Sequence, residues 1–227
     1  MAVEIVGITG GIGAGKSIVS RILRLKGFRV YDCDYEAKRL MNSDKDFKQS
    51  LVDKFGNDIL IESNNEILTE SANDILTEST IINKKRMADL IFNNIDARNY
   101  VNKSVRSLIH SDIQKQKGEC RHPGETLFIE SAILYSSELY KICDSIILVD
   151  ADTDVRIIRV KGRNSLPEEE IRQRMASQQL EYDYIRGCGN TIIIDNNPNS
   201  KIIPQIYSYL EKYNNLSCRQ SKENGRS

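Results

Sequence analysis

The chain has 227 residues, in which 32 Lys and Arg balance 32 Asp and Glu, for a formal net charge of zero. That balance speaks against a uniformly basic nucleic-acid binder and leaves room only for local basic patches. With 40% hydrophobic and 28% charged residues, the composition is that of a soluble globular chain, not a disordered one.

The length suffices for one sizeable core without staples. Five cysteines (Cys33, Cys120, Cys143, Cys188 and Cys218) contain no C-x-x-C, and with only His110 and His122 beside them they argue against a zinc site. No signal-peptide pattern opens the chain, and no apolar run approaches the ~18 residues that span a bilayer. The expectation is a cytoplasmic protein in a reducing setting, without nucleic-acid or membrane partners, as a monomer or weak homo-oligomer.

Residues 3–9 (VEIVGIT) predict a first strand, ending in Gly10-Gly11-Ile12-Gly13-Ala14-Gly15-Lys16-Ser17. A helix follows from about Lys16, with Ile18, Val19, Ile22, Leu23 and Leu25 at helical spacing and Gly27 as a stop. Residues 28–31 predict a second strand, and a polar, helix-prone stretch runs from about 35 to 117. Within it, residues 57–64, 65–72 and 73–80 form three tandem octads (NDILIESN, NEILTESA, NDILTEST), read as a duplication lengthening a surface hairpin or loop. In a helix, eight residues drift by about 80° per copy, so no apolar stripe persists. Three units are also too few for a repeat fold. Further strands are predicted at 127–129, 145–149 and 191–194, with helical patterns at 153–161, 168–180 and 201–213 and a disordered tail at about 215–227. Strands alternating with helices predict a parallel sheet covered on both faces.

The motif from Gly10 to Ser17 is a complete G-x-x-x-x-G-K-[ST], placed between a predicted strand and a predicted helix as a phosphate loop requires. Glycines let backbone N–H groups turn around phosphates, and the following helix adds its N-terminal donors. On this reading residues Gly11 to Ser17 bind ATP: Lys16 reaches the β- and γ-phosphates and the Ser17 hydroxyl ligates Mg²⁺. Three readings compete: a small-molecule kinase, a GTP switch and an ATP-driven motor or regulator. A switch needs N-K-x-D, whereas Asn83-Lys84-Lys85-Arg86 lacks the aspartate. A motor joins a mechanical module, for which nothing here speaks.

Asp34, just past the second strand in Asp32-Cys33-Asp34, is placed to take the proton of an attacking hydroxyl, or to cap the helix that Tyr35 opens. Glu130, closing the third strand, is a candidate for Mg²⁺ through water; Asp150 closes the next strand, and Asp152 is expected to cap the helix after it. Arg156, Arg159, Lys161, Arg163, Arg172 and Arg174 cluster beyond, with Arg159 and Arg163 four apart on one helix face. Gly162 and Pro167 favour a hinged lid over a rigid helix there.

Taken together these residues resemble the dephospho-coenzyme A kinase family. The resemblance rests on Gly7 to Ser17, Gly27, Asp32-x-Asp34, Phe55-Gly56, the segment from Ile82 to Met87, Leu139-Tyr140, Arg159-x-x-x-Arg163, the segment from Arg174 to Gln178, and Ile194-Asp195-Asn196-Asn197, and it covers residues 3–214. It implies a P-loop NTPase three-layer α/β/α fold with a five-stranded parallel sheet. The kinase core would be 1–34 and 119–214 with a lid at about 152–188, and 35–118 an inserted helical domain on the CoA side. It also implies MgATP-dependent phosphorylation of the ribose 3′-hydroxyl of dephospho-CoA, with Asp34 as base. Lys16, Arg159 and Arg163 would act on the transferring phosphoryl, Ser17 and Glu130 on the metal, and Asn196 and Asn197 near the adenine. Lys84 stands where the family carries an arginine, and Arg106-Ser107 replaces its His-Pro; both basic residues are expected to meet the substrate. Ala132-Ile133-Leu134-Tyr135-Ser136 departs from P-L-L-F-E. The alternatives are another P-loop small-molecule or nucleoside kinase, and a non-catalytic ATP-binding regulatory module.

Overall fold

The computed structural model describes residues 3–62, 80–120, 125–164 and 166–211. Residues 63–79, which hold most of the second and third octads, and the tail 215–227 lie outside the described residues. In chain order come β1 (Glu4–Thr9), α1 (Lys16–Leu25), β2 (Arg29–Asp32), α2 (Cys33–Ser43), α3 (Lys45–Phe55), a 3-10 turn (Asn57–Ile59), β3 (Leu60–Glu62) and β4 (Thr80–Ile82). There follow α4 (Lys84–Asn93), α5 (Ile95–Gly118), β5 (Thr126–Glu130), a second 3-10 turn (Leu139–Ile142), β6 (Ser145–Asp150), α6 (Thr153–Asn164), α7 (Glu168–Ser177), α8 (Gln179–Gly187) and β7 (Thr191–Asp195). Residues 202–211 are helical.

Two compact units result: Met1–Asp32 with Lys117–Ser227, and Cys33–Gln116. The first holds a five-stranded sheet in the order β2-β5-β1-β6-β7, with every pairing parallel. Its inner strands β5, β1 and β6 are near-continuous buried apolar runs because both faces are covered, while the edge strands β2 and β7 are more exposed. Val6, Ile8, Phe128, Ile147, Val149 and Ile194 pack on one face under Val19 and Leu23 of α1 and Ile206 and Tyr209 of the last helix. On the other face Gly7 lies against Leu134 and Cys143, and α8 contacts β6 and β7. The expected three-layer α/β/α sandwich is thus present.

α1 ends where the sequence places its stop. Gly27 adopts φ +87°, and the Phe28 amide returns to the Leu23 carbonyl at 3.1 Å, closing the helix with a left-handed residue. The chain then enters β2 directly.

The second unit has its own core, built from Phe47, Leu51, Ile59, Leu60, Ile82, Met87 and Val101. The helix-prone stretch is here interrupted by the antiparallel pair β3–β4, with Leu60 opposite Ile82. These three-residue strands lie in the first octad and across the end of the last one. Burial of Ile59, Leu60 and Ile82 holds them, assisted by the buried Lys48, whose ammonium donates to the Thr80 carbonyl at 2.9 Å.

Two predicted helices differ in their breaks. α6 runs through Gly162 without a hinge, since that glycine sits in open space and costs the helix only about 1 kcal/mol. The pattern at 168–180 instead divides at Gln178, whose amide pairs three residues back with Met175.

Phe128 is fully buried in β5, beside the central strand β1, and edge-on to Phe28 at 5.4 Å between ring centroids. Phe128→Ala is expected to lower stability by about 3–5 kcal/mol in urea unfolding, and a loss under about 1 kcal/mol would contradict this packing.

Candidate active site

β1 lies between β5 and β6 and delivers the chain at its carboxyl end into the loop Gly10–Ser17. Positive φ at Gly13 (+79°) and Gly15 (+100°) lets the backbone curl, and the Ala14 amide closes a turn on the Gly11 carbonyl at 3.1 Å. Gly15 then stands at the N-cap of α1 without any side-chain cap, and the first turn of α1 holds no acid. By contrast α3 and α4 are capped by Asp44 and Asn83. An uncapped helix start with unopposed dipole charge is the arrangement an anion requires.

The loop's carbonyls are held by side chains. Lys16 Nζ donates to the Gly10 carbonyl at 2.8 Å and Arg156 Nε to that of Ile12 at 2.9 Å. The Ala14 carbonyl receives Asn196 Nδ2 at 2.8 Å and, more weakly, Arg159 Nη1 at 3.5 Å. A trans peptide sets N–H opposite C=O, so drawing the carbonyls of residues 12 and 14 outward turns the amides of Gly13 and Gly15 the other way. The fit is close enough to demand glycine. A Cβ on Gly13 would come 2.6 Å from the Arg156 carbonyl, and one on Gly15 2.2 Å from Asn196 Nδ2.

The surrounding polar network fixes those side chains. Arg159 Nη2 donates to the Asn196 carbonyl at 2.7 Å, and the Asn196 amide donates to the Asp150 carbonyl at 2.8 Å. The Asp150 carboxylate takes the Tyr182 hydroxyl and the Arg186 guanidinium. Tyr182 is pushed up to about 12, by burial first and by its bond to Asp150 second. Burial pulls the Arg156 guanidinium below its usual value, opposed by Tyr182 and Asp150. Asp195 is held below the carboxylate range by Ser200 and then by the Asn197 amide. A small pocket opens beside the loop, lined by Gly10, Gly11, Ala132, Gln178, Glu181 and Tyr182 among others. Its buried Glu181 carboxylate receives the Tyr135 amide and both the amide and hydroxyl of Ser136, tying α8 to the chain after β5.

Asp32 and Glu130 stand in register at the ends of β2 and β5, and Glu130 is also opposite Ile8 of β1. In-register residues of parallel strands share a face, so both carboxylates leave the sheet on one side where the loop begins. Ser17 is exposed in the first turn of α1.

Among the residues singled out from the sequence, the structure gathers Gly11, Ile12, Gly13, Ala14, Gly15, Lys16, Arg159 and Asn196 around one loop. Arg163 is exposed one turn further along α6. Asn197 stands a step back, accepting the Asp152 amide at 2.9 Å, and Asp152 itself directly precedes α6. Asp34, Lys84 and Arg106 belong to the second unit. Asp34 is exposed within the first turn of α2, which already begins at Cys33, so it is not the N-cap residue the sequence offered as one choice. Lys84 is exposed at the start of α4, and Arg106 is half-buried in α5. Sequence reasoning held Arg156 only as one of a basic cluster, gave Gln178 no role, and set Asp150 behind Glu130 as a metal candidate. Arg156 precedes Arg159 by three and so shares its helix face, which is the signal that marks it.

The family model for dephospho-CoA kinase matches residues 4–201. A dephospho-CoA kinase of Porphyromonas gingivalis is 35% identical over 207 residues, 91% of this chain and 92% of that one. A dephospho-CoA kinase of Fusobacterium nucleatum is 26% identical over 216 residues, 94% and 98% of the two chains. Among solved structures, TT1252 from Thermus thermophilus shares the fold with a TM-score of 0.67 at 21% identity, covering 93% of this chain and 96% of that one. The dephospho-CoA kinase of Campylobacter jejuni does so with a TM-score of 0.57 at 18% identity, covering 92% and 96%. With the loop, its clasp and the sheet order in agreement with a match along nearly the whole chain, the protein belongs to the dephospho-CoA kinase family.

Proposed function

We propose that the protein transfers the γ-phosphoryl group of ATP to the ribose 3′-hydroxyl of dephospho-CoA, giving coenzyme A and ADP. The observation that carries this reading is the phosphate loop, with its carbonyls bound outward and its helix start uncapped, in a chain of this family. The loop's shape itself depends on glycine, since a Cβ at Gly10, Gly13 or Gly15 would meet backbone or Asn196 atoms of the protein at 2.6 Å or less. Ser17 and Glu130 supply a hydroxyl and a carboxylate, the hard oxygen donors that Mg²⁺ takes alongside substrate phosphates. When bound, Mg²⁺ neutralises charge on the β- and γ-phosphate oxygens.

In this reading the amides of the loop and the start of α1 hold the phosphates. Lys16 moves from the Gly10 carbonyl to the phosphate oxygens, and Arg159 with Arg163 balances charge on the transferring group. Asp34 accepts the proton of the ribose hydroxyl as its oxygen bonds to phosphorus and the bond to ADP breaks. Asn196 and Asn197 lie toward the adenine, and Lys84 and Arg106 toward the phosphates of the acceptor. The protein works in the cytoplasm as a monomer or weak homo-oligomer, without nucleic acid. Among the described residues no helix is long and apolar enough to cross a membrane. The first unit, with a lid at about 152–188, carries ATP, and the second, which begins at Cys33 and ends at Gln116 where the sequence suggested 35–118, serves the CoA side.

Purified protein with MgATP is expected to release ADP on addition of dephospho-CoA, and not with nucleosides, shikimate or gluconate. Protein that binds ATP yet leaves dephospho-CoA untouched would sink the assignment. Chelation with EDTA should stop turnover and added Mg²⁺ should restore it; full activity in chelator would remove Ser17 and Glu130 from metal binding. Asp34→Asn is expected to keep ATP affinity while kcat falls roughly 10²–10⁴-fold. Turnover near that of the parent protein would take Asp34 out of the role of base.

A further inference from the structure

Residue 12 of the phosphate loop is held at three points, all from the helices after β6. Its amide donates to Gln178 Oε1 at 2.8 Å, and its carbonyl accepts from Arg156 Nε at 2.9 Å. Its side chain packs on the small cluster of Ile157, Val160 and Ile171, with Leu166 and Met175. Arg156 comes from α6, Ile171 and Met175 from α7, and Gln178 from the break between α7 and α8. The two polar partners lie 144 and 166 residues away along the chain.

The grip is tight. A Cβ on Gly11 would meet Arg156 Nη2 at 2.1 Å, so the guanidinium fills the space a side chain at that position would need. Arg156 is itself buried, at 9% exposure, with its guanidinium 5.7 Å from the Tyr182 ring centroid. Tyr182 and Arg186 are both bonded to Asp150, at the end of β6, so the support under Arg156 is anchored in the sheet. Gln178 stands at the junction where the predicted helix divides, and its side chain reaches the loop from there.

We infer that Arg156 and Gln178 are positioning residues for ATP: by fixing both backbone groups of Ile12 they set the curvature of the phosphate loop and couple it to α6 and the α7–α8 junction. This rests on the kinase reading and deepens it. Neither side chain needs to touch nucleotide. Arg156 orients the peptide whose amide belongs to Gly13, and Gln178 occupies the Ile12 amide so that phosphate is received further along the loop. Loss of either bond lets the peptide rotate and costs anion affinity while leaving the CoA-side unit as it was.

Gln178→Leu keeps most of the side-chain volume without an acceptor, Arg156→Met removes the donor, and Arg156→Lys keeps a cation that can donate. Gln178→Leu and Arg156→Met are each expected to weaken ATP binding, measured without acceptor, by about ten-fold and to raise KM for ATP alike, the scale of one lost charge-assisted or backbone hydrogen bond. KM for dephospho-CoA should stay within about two-fold, and Arg156→Lys should recover most of the loss, since a contact of this kind is local. Unchanged ATP affinity in folded variants, or a parallel rise of both KM values, overturns the inference. Should a variant fail to fold, amide exchange in the nucleotide-free parent protein decides. The Ile12 amide is expected to be protected, and exchange at the rate of an open loop overturns the proposal. Because ATP affinity is read without the acceptor, a wrong assignment of dephospho-CoA shows separately, as absent turnover beside an intact response of ATP binding.

Discussion

A loop that binds a polyanion through its amides must have its carbonyls satisfied from somewhere other than the anion. Much of the first unit follows from that requirement. Lys16, Arg156 and Asn196 each take one carbonyl, Lys16 only until it turns to phosphate, and they come from the helix after the loop, the helix after β6 and the turn after β7. Donors from three separate segments converge only because the sheet order sets β1 beside β6 and β6 beside β7. The parallel arrangement brings all the carboxyl ends to one edge, so the loop and its clasp share a single rim of the sheet.

Four strands end in an acid at that rim: β2 in Asp32, β5 in Glu130, β6 in Asp150 and β7 in Asp195. Their neighbours divide them. Asp150 is engaged by Tyr182 and Arg186, and Asp195 by Ser200 and the Asn197 amide, so both stabilise the clasp on one side of β1. Asp32 and Glu130 stand in register on the other side. The rim is therefore asymmetric, with scaffolding carboxylates toward β7 and a carboxylate pair toward β2.

The sheet and the phosphate loop were legible in the sequence because their signals are local. Buried parallel strands are short apolar runs, and the loop's glycines, Lys16 and Ser17 are consecutive. All five strands lie within a residue or two of the positions read from pattern alone. The pair β3–β4 was legible only in part: the octads suggested a surface hairpin or loop, but not which residues pair. Its strands are three residues long, flanked by helix-prone sequence, and held by burial against Phe47, Leu51 and Met87 from elsewhere in the unit. The clasp escaped for a related reason. Arg156 reads as one more basic residue on a helix, and only contacts across most of the chain length separate it from its neighbours. Asp34 shows the limit of boundaries: a helix that starts two residues early changes a cap into a first-turn residue.

The six basic residues between 156 and 174 make the same point about charge. Lys161 and Arg172 both pair with Glu168, and Arg174 pairs with Glu170, all at the surface where such pairs are worth little and salt screens them. Arg156 and Arg159 instead face backbone carbonyls of the loop and of Asn196, and Arg156 is buried. A guanidinium stripped of water is less screened, so it acts on the loop more strongly than its neighbours at similar distance along the chain. A zero sum over 227 residues thus coexists with two guanidinium groups, Arg156 and Arg159, gathered on the loop's carbonyls. For a protein whose proposed substrates are both polyanions, that placement gives attraction at the site without the indiscriminate binding that a basic surface would bring.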